Sequence, residues 1–335
     1  MKIVHIMATS GGGLGGLEQH TFNLVNALAQ EHEVHLIADV AYAQYLRSNV
    51  IFHRFNFKRS RWSPFLIYEL LRLIRKIQPE LVHAQAGKAA AILAPWLKQI
   101  QCPAVATIHG MKNNLKPFLA FHHVIAVSDK IRQKFGSFAS ITTIYNGITL
   151  IQANTVFQNK PYIQALAVGR LVNVKGFLEL IEAWHDIDAQ LWIVGEGNQR
   201  SLLEQKIQQL NLTDKVKLLG HRKDVNELLL QSDCLIISSS KEGGPITLAE
   251  ALLTKTPVLA TDVGMVSAFL PSDYICENNT PVCMNALLKA KLGNRQNMQI
   301  ELEHSFERAN NTLCFDQMVQ KTEQLYDQLL KQKTG

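Results

Sequence analysis

Short, continuously apolar runs alternate with longer amphipathic ones along the first half of the chain. Lys2–Met7 (KIVHIM), Val34–Ala38 and Ala104–Ile108 are rich in β-branched residues and show no apolar/polar alternation. That pattern predicts parallel strands covered on both faces. Further strands are expected at 50–55, 81–83, 124–127 and 141–144. Helices fit between them at 17–30, 65–77, 88–98 and 130–135. The rhythm breaks after Asn146-Gly147, and the polar stretch 150–162, with Pro161, reads as a linker. Strands then return at 163–168, 190–194, 216–218, 234–237 and 257–260. Helices at 177–185, 200–210, 225–230 and 247–253 separate them, and three more at 281–291, 301–310 and 315–331 follow. The expected architecture is α/β, with doubly wound Rossmann-like domains over 1–150 and 151–315. A last helix, 316–335, is expected to fold back on the first domain.

Composition narrows the class. The 335 residues are 47% apolar, enough for real cores and against wholesale disorder. No apolar run reaches the roughly 18 residues of a spanning helix, and the apolar start is too short for a secretory signal. The five cysteines are scattered, with no Cys-x-x-Cys. They argue against a disulfide framework or a zinc site, and for a reducing, cytoplasmic compartment.

The net charge of +6 is unevenly placed. Residues 1–150 carry 16 Lys+Arg against 7 Asp+Glu, and residues 151–335 carry 18 against 21. The densest part is Lys58, Arg59, Arg61, Arg72, Arg75 and Lys76, opposed by Glu69, with Trp62 and Phe65 among them. This 58–76 stretch reads as a solvated helix face, as a patch that meets an anionic membrane, or as a nucleic-acid surface. No nucleic-acid motif accompanies the charge, so no nucleic-acid partner is expected.

Chemistry concentrates at four strand ends. Gly11-x-Gly13-x-x-Gly16 follows the first strand and formally matches a dinucleotide fingerprint, with Asp39 as the distant acid. A simple glycine turn fits the same residues. Gly169-Arg170-Leu171-Val172-Asn173-Val174-Lys175-Gly176 puts two cations five positions apart on one loop, able to converge on a diphosphate. Glu242-Gly243-Gly244-Pro245-Ile246-Thr247-Leu248-Ala249-Glu250 turns into a helix whose first N–H groups, at 246–248, suit a phosphate. Its two carboxylates suit hydroxyls, or general acid/base hydrolysis. His109 lies where a strand meets Gly110, at the ligand edge of an open sheet. Neither His122-His123 nor Asp186-Ile187-Asp188 sits at such an edge, and no metal site is expected.

Taken in order, these motifs resemble the GT-B glycosyltransferases of glycosyltransferase family 4. The resemblance rests on Gly169-Arg170-Leu171 with Lys175-Gly176, Val194-Gly195-Glu196-Gly197, the Glu242/Glu250 spacing, Ile144-Tyr145-Asn146-Gly147 and Gly15-Gly16-Leu17-Glu18. It implies two Rossmann-like domains facing a central cleft. It implies a retaining, metal-independent transfer from a nucleotide-sugar, UDP- or GDP-linked, and no cofactor besides that substrate. Arg170 and Lys175 would contact the diphosphate, Glu242 the transferred sugar, Glu250 the ribose, and the backbone from Gly243 through Thr247 a phosphate. Gly16, Gly169 and Gly195 would shape the donor site. His109 would face the transferred sugar, with Glu18 and His20 on the acceptor side. The acceptor would be a glycan or a lipid-linked precursor in bacterial surface polysaccharide or lipopolysaccharide synthesis, placing the enzyme in the cytoplasm at the inner membrane face.

The sequence departs from the family at Met265, which stands where a second glycine follows Gly264. It departs again at Val266-Ser267-Ala268, where an acidic residue is usual, and at Gly243-Gly244, which replaces the commoner Gly-Phe. Three other readings stay open: a sugar-nucleotide epimerase on the same scaffold, a non-enzymatic nucleotide or nucleic-acid binder, and an NAD dehydrogenase.

Overall fold

The computed structural model describes residues 1–9, 15–149, 160–293 and 295–334. The chain divides into two compact units, Met1–Gly147 with Asp316–Gly335, and Ile148–Phe315. The central glycines of the Gly11–Gly16 loop and most of the expected linker lie outside the described residues.

In the first unit the strands are β1 (Lys2–Met7), β2 (Glu33–Ala38), β3 (Ile51–Arg54), β4 (Leu81–Gln85), β5 (Ala104–Ile108), β6 (His123–Ala126) and β7 (Ile141–Thr143). They form a parallel sheet in the order β3-β2-β1-β4-β5-β6-β7. The helices are α1 (Gly16–Leu28), α2 (Pro64–Ile77), α3 (Ala86–Leu93) and α4 (Asp129–Gln133). Helix α2 starts where Ser63 Oγ accepts from the Leu66 N–H and Pro64 presets the first turn; it ends at Gln78 in a left-handed cap. Its Leu66, Leu70, Leu71, Ile74 and Ile77 are buried in the first core, each stabilising by about 1.5–3 kcal/mol. The helix expected over 88–98 is shorter. It stops at Leu93 and continues as a 3-10 turn, Ala94–Gln99, because Pro95 has no N–H to extend the ladder.

In the second unit β8 (Gln164–Val168), β9 (Gln190–Val194), β10 (Val216–Gly220), β11 (Cys234–Ile237), β12 (Val258–Thr261) and β13 (Ile275–Cys276) form a parallel sheet ordered β10-β9-β8-β11-β12-β13. Around it lie α5 (Phe177–Ala183), α6 (Arg200–Gln209), α7 (Val225–Gln231), α8 (Ile246–Leu253), α9 (Val266–Phe269), α10 (Pro281–Lys291), α11 (Arg295–Glu301) and α12 (Glu303–Asn310). Two of these, β13 and α9, are too short to show a period in the sequence. The helix expected over 301–310 is α11 and α12, broken at Leu302. Cys276, ending β13, and Cys283, in α10, are brought near each other by the tight return between the two elements, with Cα atoms 6.0 Å apart.

The last helix, α13 (Phe315–Thr334), belongs from Asp316 onward to the first unit. It buries Met318, Leu325 and Tyr326, and His32 Nε2 lies 3.2 Å from Glu323. No helix among the described residues is long and apolar enough to cross a membrane.

Candidate functional site

Each sheet has a switch point where the chain leaves in opposite directions from adjacent strands, and loops at the carboxyl ends there open a crevice. In the second unit the switch lies between β8 and β11. The loop after β8 carries Gly169–Gly176, and the loop after β11 carries Ser238–Pro245. Hydrogen bonds stitch the two together: Ser238 Oγ donates to Lys175 O at 2.9 Å, and Ser240 N to Val174 O at 2.9 Å. Thr261 Oγ1, at the end of β12, donates to Ser239 O at 2.6 Å.

This sewing brings Lys175 Nζ to 2.6 Å from Glu242 Oε1, with both side chains mostly buried. Ser239 Oγ donates to the same oxygen at 3.0 Å. The two expected phosphate ligands part company: Arg170 is exposed at the start of its loop, with no ion-pair partner among the described residues, while Lys175 is turned onto Glu242.

Glycine is forced where two loops meet. Gly195, after β9, has φ +142°, and a Cβ there would stand 1.8 Å from Gly169 O. Gly169 N donates to Val194 O and Leu171 N to Glu196 O, both at 2.9 Å, so the β8 and β9 loops lie backbone to backbone. Glu196 is itself paired with Arg200 at 2.6 Å.

Helix α8 begins at Ile246 with Pro245 in extended backbone before it. Leu248 N already donates to Pro245 O at 3.2 Å. The N–H groups left for an anion, among the described residues, are those of Ile246 and Thr247, a narrower cradle than the 246–248 expected. Gly243 and Pro245 are buried, Gly244 and Thr247 half-buried. Glu250 is half-buried one turn into α8, and burial pushes its carboxyl up to about 7. Met265 is buried with φ −100°, so the missing second glycine costs the backbone nothing.

In the first unit the switch lies between β1 and β4. Gly16 opens α1, and Glu18 turns back so that its Oε2 accepts the Gly15 N–H at 3.0 Å. The carboxylate thus sits on the positive end of its own helix. Asp39, the distant acid of the dinucleotide fingerprint, caps a turn by accepting from Ala41 N at 3.1 Å. His20 on α1 and His109 after β5 pack edge to face, ring centroids 4.7 Å apart.

These two rings belong to a longer chain of hydrogen-bonded and packed side chains in the first unit. His109 Nε2 donates to Gln85 Oε1 at 2.9 Å, and Gln85 Nε2 donates to His5 Nδ1 at 3.2 Å. In that arrangement His109 keeps its Nδ1 lone pair open and His5 carries its proton on Nε2. His5 packs on His83 at 4.9 Å, and His83 bonds Thr107 Oγ1 at 2.7 Å and Tyr326 OH, on α13, at 2.5 Å. Burial, the largest cause in each case, lowers His5 to about 3 and His20 to about 4, the latter against an Asn146 hydrogen bond that raises it. It holds His83 and His109 well below their ordinary value, helped by the neighbouring histidines. All four rings are neutral near pH 7. His5 Nε2 and His20 Nδ1 have no hydrogen-bond partner among the described residues. Ala86, next to Gln85, takes φ +66°, a left-handed value that costs an alanine about 1–2 kcal/mol. The only sequence signal for this chain was histidine on strand interiors, at His5 and His83.

Among the described residues no group of three or more His, Cys, Asp or Glu side chains is placed to hold a metal ion.

Two family patterns match the chain: Glycosyltransferase Family 4 over residues 14–151 and Glycosyl transferases group 1 over 150–294. An uncharacterized glycosyltransferase of Methanocaldococcus jannaschii is 25% identical, covering 94% of this chain and 95% of its own. The lipopolysaccharide core biosynthesis glycosyltransferase LpsD of Rhizobium meliloti is 27% identical over 72% of this chain and 73% of its own. Among solved structures, Anabaena HepE in complex with UDP superposes with a TM-score of 0.79 at 20% identity, over 98% of this chain and 100% of that one. A glycosyltransferase from Rickettsia africae reaches 0.82 at 19% identity, over 98% of both chains. Motifs, sheet orders and both patterns agree: the chain belongs to the GT-B glycosyltransferases of the family 4 type.

Proposed function

We propose that this enzyme moves a sugar from a UDP- or GDP-linked donor to a glycan or lipid-linked acceptor, with retention of configuration and without a metal ion. The acceptor belongs to bacterial surface polysaccharide or lipopolysaccharide synthesis, and the enzyme works in the cytoplasm at the inner membrane face. The observation that carries the reading is the Lys175–Glu242 pair at the β8/β11 switch point. A cation held by a carboxylate between two loops is set to take up a diphosphate's charge as the donor bond breaks, and the Ile246 and Thr247 N–H groups at the start of α8 suit a phosphate. The Glu242 carboxylate has a second oxygen for sugar hydroxyls, and Glu250 suits the ribose. In the first unit His109 offers a neutral imidazole with Nδ1 open to a hydroxyl proton. HepE is solved with UDP-glucose and LpsD acts in lipopolysaccharide core synthesis, which supports a nucleotide-sugar donor and a surface-glycan acceptor.

The test is thermal stability against UDP, GDP, ADP, CMP and NAD. A ligand at about 100 times its Kd adds roughly 2.7 kcal/mol. A shift with UDP or GDP, lost in Lys175→Ala, supports the reading; a shift with NAD alone overturns it. Conversion of the donor sugar with no acceptor present would mark an epimerase instead.

A further inference from the structure

On the first unit, α2 and the Ala94–Gln99 turn leave between them a groove of about 450 Å³, within the range of small-ligand sites. Trp62, Ile67, Tyr68 and Trp96 line it, with Arg61 and Arg75. Arg75 Nη2 donates to Gln99 Oε1 at 2.9 Å, tying helix to turn beside the groove. Of its lining rings Trp62 is 67% exposed, with the Arg61 guanidinium 5.3 Å over it, and Tyr68 is 62% exposed; Phe65, outside the lining in the first turn of α2, is 74% exposed. Three large rings this open within one helix turn and its approach form an apolar patch that invites a partner.

The charges are as unusual as the rings. Arg59 pairs with Glu69 at 3.3 Å. Lys58, Arg61, Arg72, Arg75 and Lys76 are exposed and have no carboxylate partner among the described residues. An apolar groove with bare aromatics and unpaired cations around it matches one chemistry, an amphiphile with an apolar chain and an anionic head. A soluble anionic glycan or peptide would use the cations and leave the rings idle. A second copy of this chain would set five unpaired cations against five more, which opposes association.

We propose that this groove docks an anionic phospholipid at a membrane surface, one acyl chain lying between α2 and the 94–99 turn and the phosphate held by Arg61 and Arg75. Trp62, Phe65 and Tyr68 enter the headgroup layer around it. Arg72 and Lys76, further along the exposed face of α2, add attraction to the surface of the leaflet. The site lies wholly in the first unit and does not depend on the donor chemistry of the second.

The experiment is co-sedimentation of the full chain with phosphatidylcholine vesicles, with and without phosphatidylglycerol. Binding is expected to the anionic vesicles alone. Arg61→Gln and Arg75→Gln should each lower partitioning about five-fold. Trp62→Ser with Phe65→Ser and Tyr68→Ser should lower it at least about ten-fold; all three are exposed, so the fold survives. Phosphatidylglycerol brominated along its acyl chains should quench the fluorescence that Trp96→Phe removes. Stabilisation by nucleotide should be unchanged in every variant, so this proposal and the transferase reading fail separately. No binding to anionic vesicles overturns the proposal. So does binding that the aromatic triple variant leaves intact, or Trp96 emission blind to the brominated chains; each reduces the patch to a charged surface.

Discussion

Lys175 and Glu242 are 67 residues apart in the chain, and their charged ends meet at 2.6 Å. The pair exists because β8 and β11 are neighbours in the sheet. Removing either partner leaves a mostly buried charge alone, which is worse than removing both. Lys175→Met and Glu242→Gln should each cost stability, and the double variant should lose less than their sum. Transfer should fall about 10²–10³-fold in Lys175→Met with the fold kept. Additive losses in denaturant unfolding, or full activity in both variants, would remove the pair from the mechanism.

Gly195 and Gly110 make opposite predictions. Gly195→Ala drives a Cβ into Gly169 O at a φ of +142°, so it should destabilise by about 3 kcal/mol and abolish nucleotide binding. A Cβ on Gly110 meets nothing within 4 Å, so Gly110→Ala should leave the melting temperature unchanged. Equal melting temperatures for both would refute the backbone-to-backbone contact.

The buried histidines predict acid sensitivity. Their folded pKa values lie below the ordinary 6.5, near 3 for His5 and near 4 for His20. Below pH 6.5 the unfolded chain takes up protons that the folded one refuses. The stability they contribute is therefore full above 6.5 and is lost as pH falls toward 4 and 3. Each such histidine should add about 1.4 kcal/mol per pH unit to the slope. Urea unfolding across pH 4–7 checks this; a flat profile contradicts a neutral buried cluster.

Glu250 runs the other way. Its carboxyl is raised from 4.5 to about 7, so the stability it contributes is full below 4.5 and is lost as pH rises through 7. Glu250→Gln should remove that alkaline-side fall. The ionised carboxylate accepts ribose hydroxyls, so nucleotide affinity should rise through pH 7 in the parent and stay flat in Glu250→Gln. A parent profile with no step near 7 would take Glu250 out of nucleotide binding.

Gln85 sets which nitrogen of His109 is open. Gln85→Leu removes the acceptor for His109 Nε2 and frees the ring. It should lower the transfer rate more than it weakens nucleotide binding, which belongs to the second unit. Unchanged transfer, or a loss confined to nucleotide binding, would leave Gln85 a merely structural role.

What the sequence by itself determined is local. Strand and helix periods repeat within a few residues, so β1, β5, β9, β11 and α2 are legible where they occur, and Arg170–Lys175 and Glu242–Glu250 announce their loops. The short elements β13 and α9 are not, because two to four residues carry no period, and Pro95 cuts a helix whose apolar spacing runs on past it. The sheet order decided the rest. It set Lys175 on Glu242 rather than beside Arg170, and it threaded His109, Gln85, His5 and His83 toward Tyr326 on α13. It opened a groove between α2 and a turn some twenty residues later. Glu18 capping its own helix and Cys276 coming near Cys283 are short-range, yet they too depended on the path the backbone took between them. Contacts between loops are fixed by which strands lie side by side, and no window of sequence contains that choice.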